Sequence, residues 1–229
     1  METSAPLIVD VVSDIVCPWC FIGKRKLEQA LGELARADPS RGVTVRWHPF
    51  QLNPDLPPEG IPRTVYLTRK FGSASGAAER YARVTSVGET VGIPFRFDRI
   101  EQQPNTLDGH RLIAWAQQQG DAGRLMERLF NAYFVEGRRI GDLDELARLA
   151  AECGWSEDDA RDMLASDELR EEVETASRRA SEMGIEGVPF FIFDQRTALS
   201  GAHDAGTILD AISGARSRSR DEGRSKSPS

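Results

Sequence analysis

The sequence predicts an α/β fold in which a small sheet domain is interrupted by an all-helical insertion. Three observations predict it. Residues near the N-terminus read strand, helix, strand; residues near the C-terminus read strand, strand, helix; and residues 53–184 between them carry helical periodicity almost without a break. Inserting a helical domain into a sheet domain produces this order. The expected division is 1–52 and 185–214 for the sheet domain, 53–184 for the insertion, and 215–229 for a disordered tail.

Leu7–Val12 is a short β-branched apolar run bounded by Pro6 and Ser13, the pattern of a buried strand. Behind it, Ile22, Leu27, Ala30, Leu31 and Leu34 fall on one face of a helix. Asp38-Pro39 ends that helix, because the proline ring disfavours helical geometry in the residue before it. Val43–Phe50 alternates as a second strand, and a helical crossover between two strands suggests a parallel pair. After a proline-rich loop at 53–58, helices are expected near 62–71, 76–91, 105–119, 121–136, 142–153, 156–164 and 166–183. Asp142 and Ser156 supply start signals, and Gly120, Gly141, Gly154 and Gly184 mark ends. Val188–Phe193 and Thr197–Ala202 then read as a hairpin, and Asp204 caps a final helix with Ile208, Leu209 and Ile212 inward.

Composition narrows the function classes. The longest stretches without Asp, Glu, Lys or Arg, Ile15–Gly23 and Leu112–Gly120, are 9 residues each. A membrane-spanning helix needs about 20 apolar residues, so no membrane role is expected. The first residues lack the basic flank and apolar run of a secretory signal, and a cytoplasmic location is expected. The net charge is −7, and the tail from Ala215 holds five basic residues against two acids, so the body is more acidic than the total. Such a body repels phosphate backbones, which argues against nucleic acid as its partner.

Of the three cysteines, Cys17 and Cys20 stand two residues apart at the junction of the first strand and helix, with Pro18 and Trp19 between them. A zinc site would need two more ligands, yet there is no second Cys-x-x-Cys, and His48, His110 and His203 are scattered singly; no metal is expected. A dithiol beside a strand–helix–strand unit reads instead as a thioredoxin-like redox motif. Cys17 falls at a helix N-terminus, where unpaired N–H groups and the helix dipole stabilise a thiolate. Pro18 suits the first turn, which needs no donor there. Cys20, one turn on, comes round beside Cys17. Cys17 is therefore expected to attack and Cys20 to resolve the mixed disulfide. Trp19 is either a wall of the substrate groove or a packing residue.

The stretch from Asp10 to Lys24, Asp-Val-Val-Ser-Asp-Ile-Val-Cys-Pro-Trp-Cys-Phe-Ile-Gly-Lys, resembles the active-site segment of the DsbA-like thioredoxin family. More narrowly it resembles the FrnE-type branch, related to 2-hydroxychromene-2-carboxylate isomerases and kappa-class glutathione transferases. Phe50–Pro54, Asn105–Leu112 and Gly184–Phe191 resemble that branch too, and the likeness spans roughly residues 7–212. It implies a thioredoxin fold with a helical insertion and thiol–disulfide exchange at Cys17 and Cys20. It also implies a cis Pro189 beside the dithiol, with Val188 offering backbone to substrate. The isomerase and transferase relatives generally carry serine at the position of Cys17, so the cysteine favours oxidoreduction. The implied substrates are protein thiols and disulfides or a small thiol. No bound cofactor is required, and glutathione is a candidate co-substrate. Two other readings compete: a glutathione-dependent isomerase or transferase acting on an aromatic or polyketide-like molecule, and a non-catalytic binding or chaperone module. Asn53 matches a position near the thiol site in glutathione-using relatives; otherwise it is a turn former before Pro54. His110 faces the groove or packs; Asp10 or Asp14 is a candidate to take the Cys20 proton, as a buried acid does in thioredoxins, Asp14 being otherwise an exposed loop acid; and Cys153 reads as a small buried hydrophobe. The oligomeric state is open, a homodimer being one option.

Overall fold

The first apolar run folds as β1 (Leu7–Ser13), in a computed structural model that describes residues 6–72 and 74–224, the side chains of 74, 75 and 216–224 excepted. Then follow α1 (Pro18–Ala37), β2 (Val43–Pro49), a two-residue β3 (Ile61–Pro62), α2 (Arg63–Phe71) and α3 (Ala74–Glu89). A two-residue β4 (Gln102–Gln103) precedes α4 (Leu107–Gln119), α5 (Gly123–Asn131), α6 (Leu143–Glu152), α7 (Glu157–Ala165) and α8 (Arg170–Glu182). The chain closes with β5 (Phe190–Phe193), β6 (Thr197–Ser200) and α9 (Ala205–Arg224).

The two ends of the chain build one mixed sheet, ordered β2-β1-β5-β6. β1 runs parallel to β2, with Val11 opposite Trp47, and antiparallel to β5, with Val12 opposite Phe190. Being central, β1 is buried along nearly its whole length, which accounts for its almost unbroken apolar sequence. On β2, the N–H and C=O of Trp47 that point away from β1 bond to the side-chain amide of Gln117 on α4, at 2.6 and 3.1 Å.

α1 belongs to both the sheet and the helical block. Its Ile22, Leu27 and Ala30 enter the core. Phe21 stacks on Phe130 of α5 with ring centres 5.0 Å apart and meets Phe95 edge-on at 6.0 Å. Lys24 and Arg25 both reach Glu127 of α5, at 2.8 and 2.5 Å. Asp142 and Ser156 cap α6 and α7 as expected, accepting from the N–H of Glu145 and Asp159. The wholly buried Arg111 of α4 closes the other end of α7. It donates to the carbonyls of Met163, Leu164, Ser166 and Glu168, and pairs with Asp108 at 2.7 Å.

Several details differ from the sequence reading. The helix expected over 121–136 is α5 followed by a π-helical turn, Ala132–Glu136, ended by Gly137 in left-handed geometry. The β3–β4 ladder is too short to leave a periodic signal. The chain from 215 to 224, expected in the disordered tail, continues α9, whose Ile208, Ile212 and Ala215 are buried. Once such an anchor has nucleated a helix, each added residue gains a hydrogen bond, and no proline interrupts the run before Arg224. Residues 225–229 of that tail lie outside the described residues. Among the described residues no helix is long and apolar enough to cross a membrane.

Candidate active site

Three segments far apart in sequence meet at the start of α1: the turn 13–17, the loop 50–56 and the approach to β5 at 185–189. Cys17 is the residue before the first turn of α1, with extended backbone (φ −94°, ψ 113°) and Pro18 behind it. Its thiol donates to the carbonyl of Val188 at 3.5 Å. The peptide between Val188 and Pro189 is cis. Pro189 packs directly on α1, and the absence of a side chain at Gly23 allows it: a Cβ there would stand 2.7 Å from Pro189 Cγ and 3.2 Å from Phe191 Cζ.

The two thiols are free and unequal. Cys17 is 5% exposed and Cys20 2%. The thiol of Cys20 hydrogen-bonds the Cys17 sulfur and, with the N–H groups of Cys20 and Trp19, holds the Cys17 pKa below the ordinary thiol value; burial and the Asp14 carboxylate oppose this. Burial pushes the Cys20 thiol well up, and the hydrogen bond to Cys17 adds to the effect. One sulfur is thus disposed to ionise and the other to keep its proton.

Asp14, rather than Asp10, is the acid beside the dithiol. Its wholly buried carboxylate accepts from the N–H of Leu52 at 2.8 Å and of Val16 at 3.4 Å, tying the loop 50–56 to the cysteine turn. His110 Nε2 stands 3.5 Å from Asp14 and 3.2 Å from the Phe50 carbonyl. His110 is buried among these groups and takes no part in the groove. Asp10 instead pairs with His48 at 2.8 Å. Asn105, two residues before α4, organises the same loop, bonding the Gln51 side chain and the Leu56 carbonyl.

Cys17 opens into a cleft of about 380 Å³, within the range of small-ligand sites. Trp19, Leu52 and Val188 form its walls near the sulfur. Trp19 lines the cleft and also packs against the hydrophobic core. Asn53 is not among the lining residues; its carbonyl closes a turn with the Leu56 N–H at 3.3 Å, as a turn former does. Cys153, the residue that follows α6, is buried far along the chain, its thiol directed at the Arg124 carbonyl.

The far wall of the cleft escaped the sequence reading. It consists of Arg63, Tyr66, Lys70 and Phe71 from α2 and Arg80, Tyr81, Arg83 and Val84 from α3. Residues 63, 66 and 70 follow the three-and-four spacing of one helix face, a signal present in the sequence. Arg63 lies over the rings of Tyr66 and Tyr81, at 5.0 and 5.4 Å, and Lys70 over Tyr66 at 5.2 Å. Burial pushes the Tyr81 hydroxyl up to about 12, so it stays protonated.

The model of the DSBA-like thioredoxin domain matches residues 8–213. The chain is 28% identical over 209 residues to YwbO of Bacillus subtilis (strain 168), a protein described as uncharacterised, covering 90% of this chain and 95% of that one. A crystal structure described as a probable DsbA oxidoreductase from Streptomyces coelicolor is 30% identical, with a TM-score of 0.81 and coverage of 92% and 90%. The cytosolic disulfide reductase DsbM of Pseudomonas aeruginosa, solved with GSH, shares the fold at 22% identity, with a TM-score of 0.57 and coverage of 95% and 99%.

Proposed function

Because the chain belongs to the DSBA-like thioredoxin family, we propose that it is a thiol–disulfide oxidoreductase in which Cys17 attacks and Cys20 resolves. One observation carries the reading: a cysteine of lowered pKa stands at a helix N-terminus in the wall of a cleft, with a protonated second thiol hydrogen-bonded behind it. The Cys17 thiolate attacks a disulfide sulfur, forming a mixed disulfide and expelling one substrate thiolate. Cys20 then gives up its proton and its sulfur attacks Cys17 Sγ. The second substrate thiolate leaves, and the enzyme carries a Cys17–Cys20 disulfide. Two electrons pass from dithiol to substrate, and every step is reversible. We assign the Cys20 proton to Asp14, a wholly buried carboxylate whose charge acts on the neighbouring Cys17 thiol. Trp19, Leu52 and Val188 hold the substrate, Pro189 backs α1, and a small thiol such as glutathione returns the enzyme to its dithiol form. We place the protein in the cytoplasm, where the thiol pool favours net reduction of substrates.

Insulin reduction in the presence of glutathione tests this. Wild type should accelerate precipitation of the insulin B chain, Cys17→Ser should lose the effect, and Cys20→Ser should accumulate a mixed disulfide visible by mass spectrometry. Reduction that persists in Cys17→Ser, or glutathione-dependent isomerisation by wild type without any reduction, overturns the reading.

A further inference from the structure

We propose that the cleft selects anionic substrates, admitting thiols and disulfides that carry a carboxylate or phosphate in preference to neutral ones. The proposal rests on the dithiol chemistry above and adds the class of molecule that chemistry serves.

The charge of the lining is lopsided. In a chain of net charge −7, the cleft is lined by four cations, Arg63, Lys70, Arg80 and Arg83, and by no acid. Elsewhere arginines meet carboxylates: Arg128 pairs with Glu136 and Glu152, and Arg138 with Glu145. Among the described residues, none of the four lining cations has an acidic partner within ion-pair distance. Arg63 is the telling case, at 7% exposed. Its guanidinium is held by the Gln103 side chain and the hydroxyls of Tyr81 and Tyr133, all neutral. Burying a cation without a counter-ion is costly, and an anion entering from the cleft offsets that cost. The guanidinium is also held in place by its neutral partners and by the two rings it overlies, so little side-chain freedom is lost when the anion arrives.

The outer cations extend the site towards solvent. Lys70 lies over Tyr66 and Arg80 lies 5.7 Å from the centre of Phe71. Exposed Arg80 and Arg83 therefore sit where they draw an anion towards the mouth, Arg63 fixes it inside, and Cys17 meets the sulfur on the opposite wall. Such a field raises encounter rates with anions and fades as salt screens it.

Two aromatic disulfides of opposite character test the proposal on the reduced full-length protein. One, 5,5′-dithiobis(2-nitrobenzoate), bears two carboxylates; the other, 4,4′-dithiodipyridine, is neutral. Each rate is divided by that of 2-mercaptoethanol with the same reagent, which removes intrinsic reactivity, and the ratio of the two normalised rates is read. At low salt the ratio should favour the dianion by about tenfold or more. It should fall towards one as sodium chloride is raised, in Arg80→Ala/Arg83→Ala, and in Arg63→Gln. Because both reagents meet the same thiol, altered thiol ionisation cancels, and the exposed pair Arg80→Ala/Arg83→Ala lowers the ratio without disturbing the buried packing around Arg63. Succinate and inorganic phosphate, added as competitors, report which anion is preferred; inhibition of the dianion's reaction by either supports the site, and by neither overturns it. A normalised ratio near one in wild type, or one unchanged in the variants, overturns the proposal while leaving the dithiol reading intact. Failure of Cys17 to react with either reagent overturns the dithiol reading itself.

Discussion

The sulfur of Cys17 lies 3.5 Å from the carbonyl oxygen of Val188, although 171 residues separate the two in the chain. The contact follows from strand pairing. Val12 is registered against Phe190, so the turn that leaves β1 and the turn that enters β5 emerge at the same end of the sheet. The Cys17 thiol and the Val188 carbonyl are thereby placed at one end of the sheet by a pairing that the whole helical block must leave undisturbed.

The first prediction concerns the ionisation of Cys17. Hydrogen bonding from Cys20 is the largest contribution lowering its pKa. A lowered value means more thiolate at any pH beneath the ordinary 9.0, and the thiolate is the form that alkylates. Iodoacetamide labelling of Cys17, followed against pH, should inflect below 9.0, and Cys20→Ala should move the inflection up. A wild-type inflection at or above the ordinary value contradicts the arrangement.

Asp14 acts in the opposite direction. Its charge disfavours the thiolate, so Asp14→Asn, which retains an oxygen acceptor for Leu52 N–H, should move the labelling inflection down. The weakened bond to the loop should cost about 1 kcal/mol of stability, read by urea unfolding. An upward move of the inflection rules out the electrostatic role.

Gly23→Ala tests the packing that seats α1. The added methyl would meet Pro189 at 2.7 Å and Phe191 at 3.2 Å. Overpacking of this kind costs about 1–3 kcal/mol, and urea unfolding should show it together with slower labelling of Cys17. Unchanged stability and labelling would falsify the close approach.

Arg111→Met separates stability from chemistry. The substitution strands four carbonyls at the end of α7 and the partner carboxylate of Asp108. Removing one member of a buried charged network costs about 3–5 kcal/mol. Thermal unfolding should reveal the loss, while folded protein keeps the Cys17 labelling profile of wild type. A shifted profile implies that Arg111 acts on the dithiol.

How much of this was legible depended on whether a feature is local. The dithiol, Pro18 and the strand before them fall within fourteen residues, and their consequences are those of one helix end. The caps at Asp142 and Ser156 are equally local, and both were legible. Asn53 carried two readings, a site residue and a turn former: its carbonyl closes a turn with Leu56, and the cleft receives Leu52 instead. The choice between Asp10 and Asp14 needed the position of loop 50–56, since Leu52 N–H marks Asp14. The cationic wall needed still more. The spacing of 63, 66 and 70 marks a helix face, but only the packing of α2 against α3 decides that the face looks at Cys17 rather than at solvent.

The bonds between Trp47 and Gln117 bear on the fate of the molecule in a crowded solution. β2 borders the sheet, and a border strand's free donors and acceptors invite a stranger's backbone to add alongside. A single carboxamide from α4 already occupies both groups at the middle of that border. An intruding chain would have to displace it before intermolecular ribbon growth could begin, so protection against self-templating is anchored in a neighbouring helix and not in the strand's own composition.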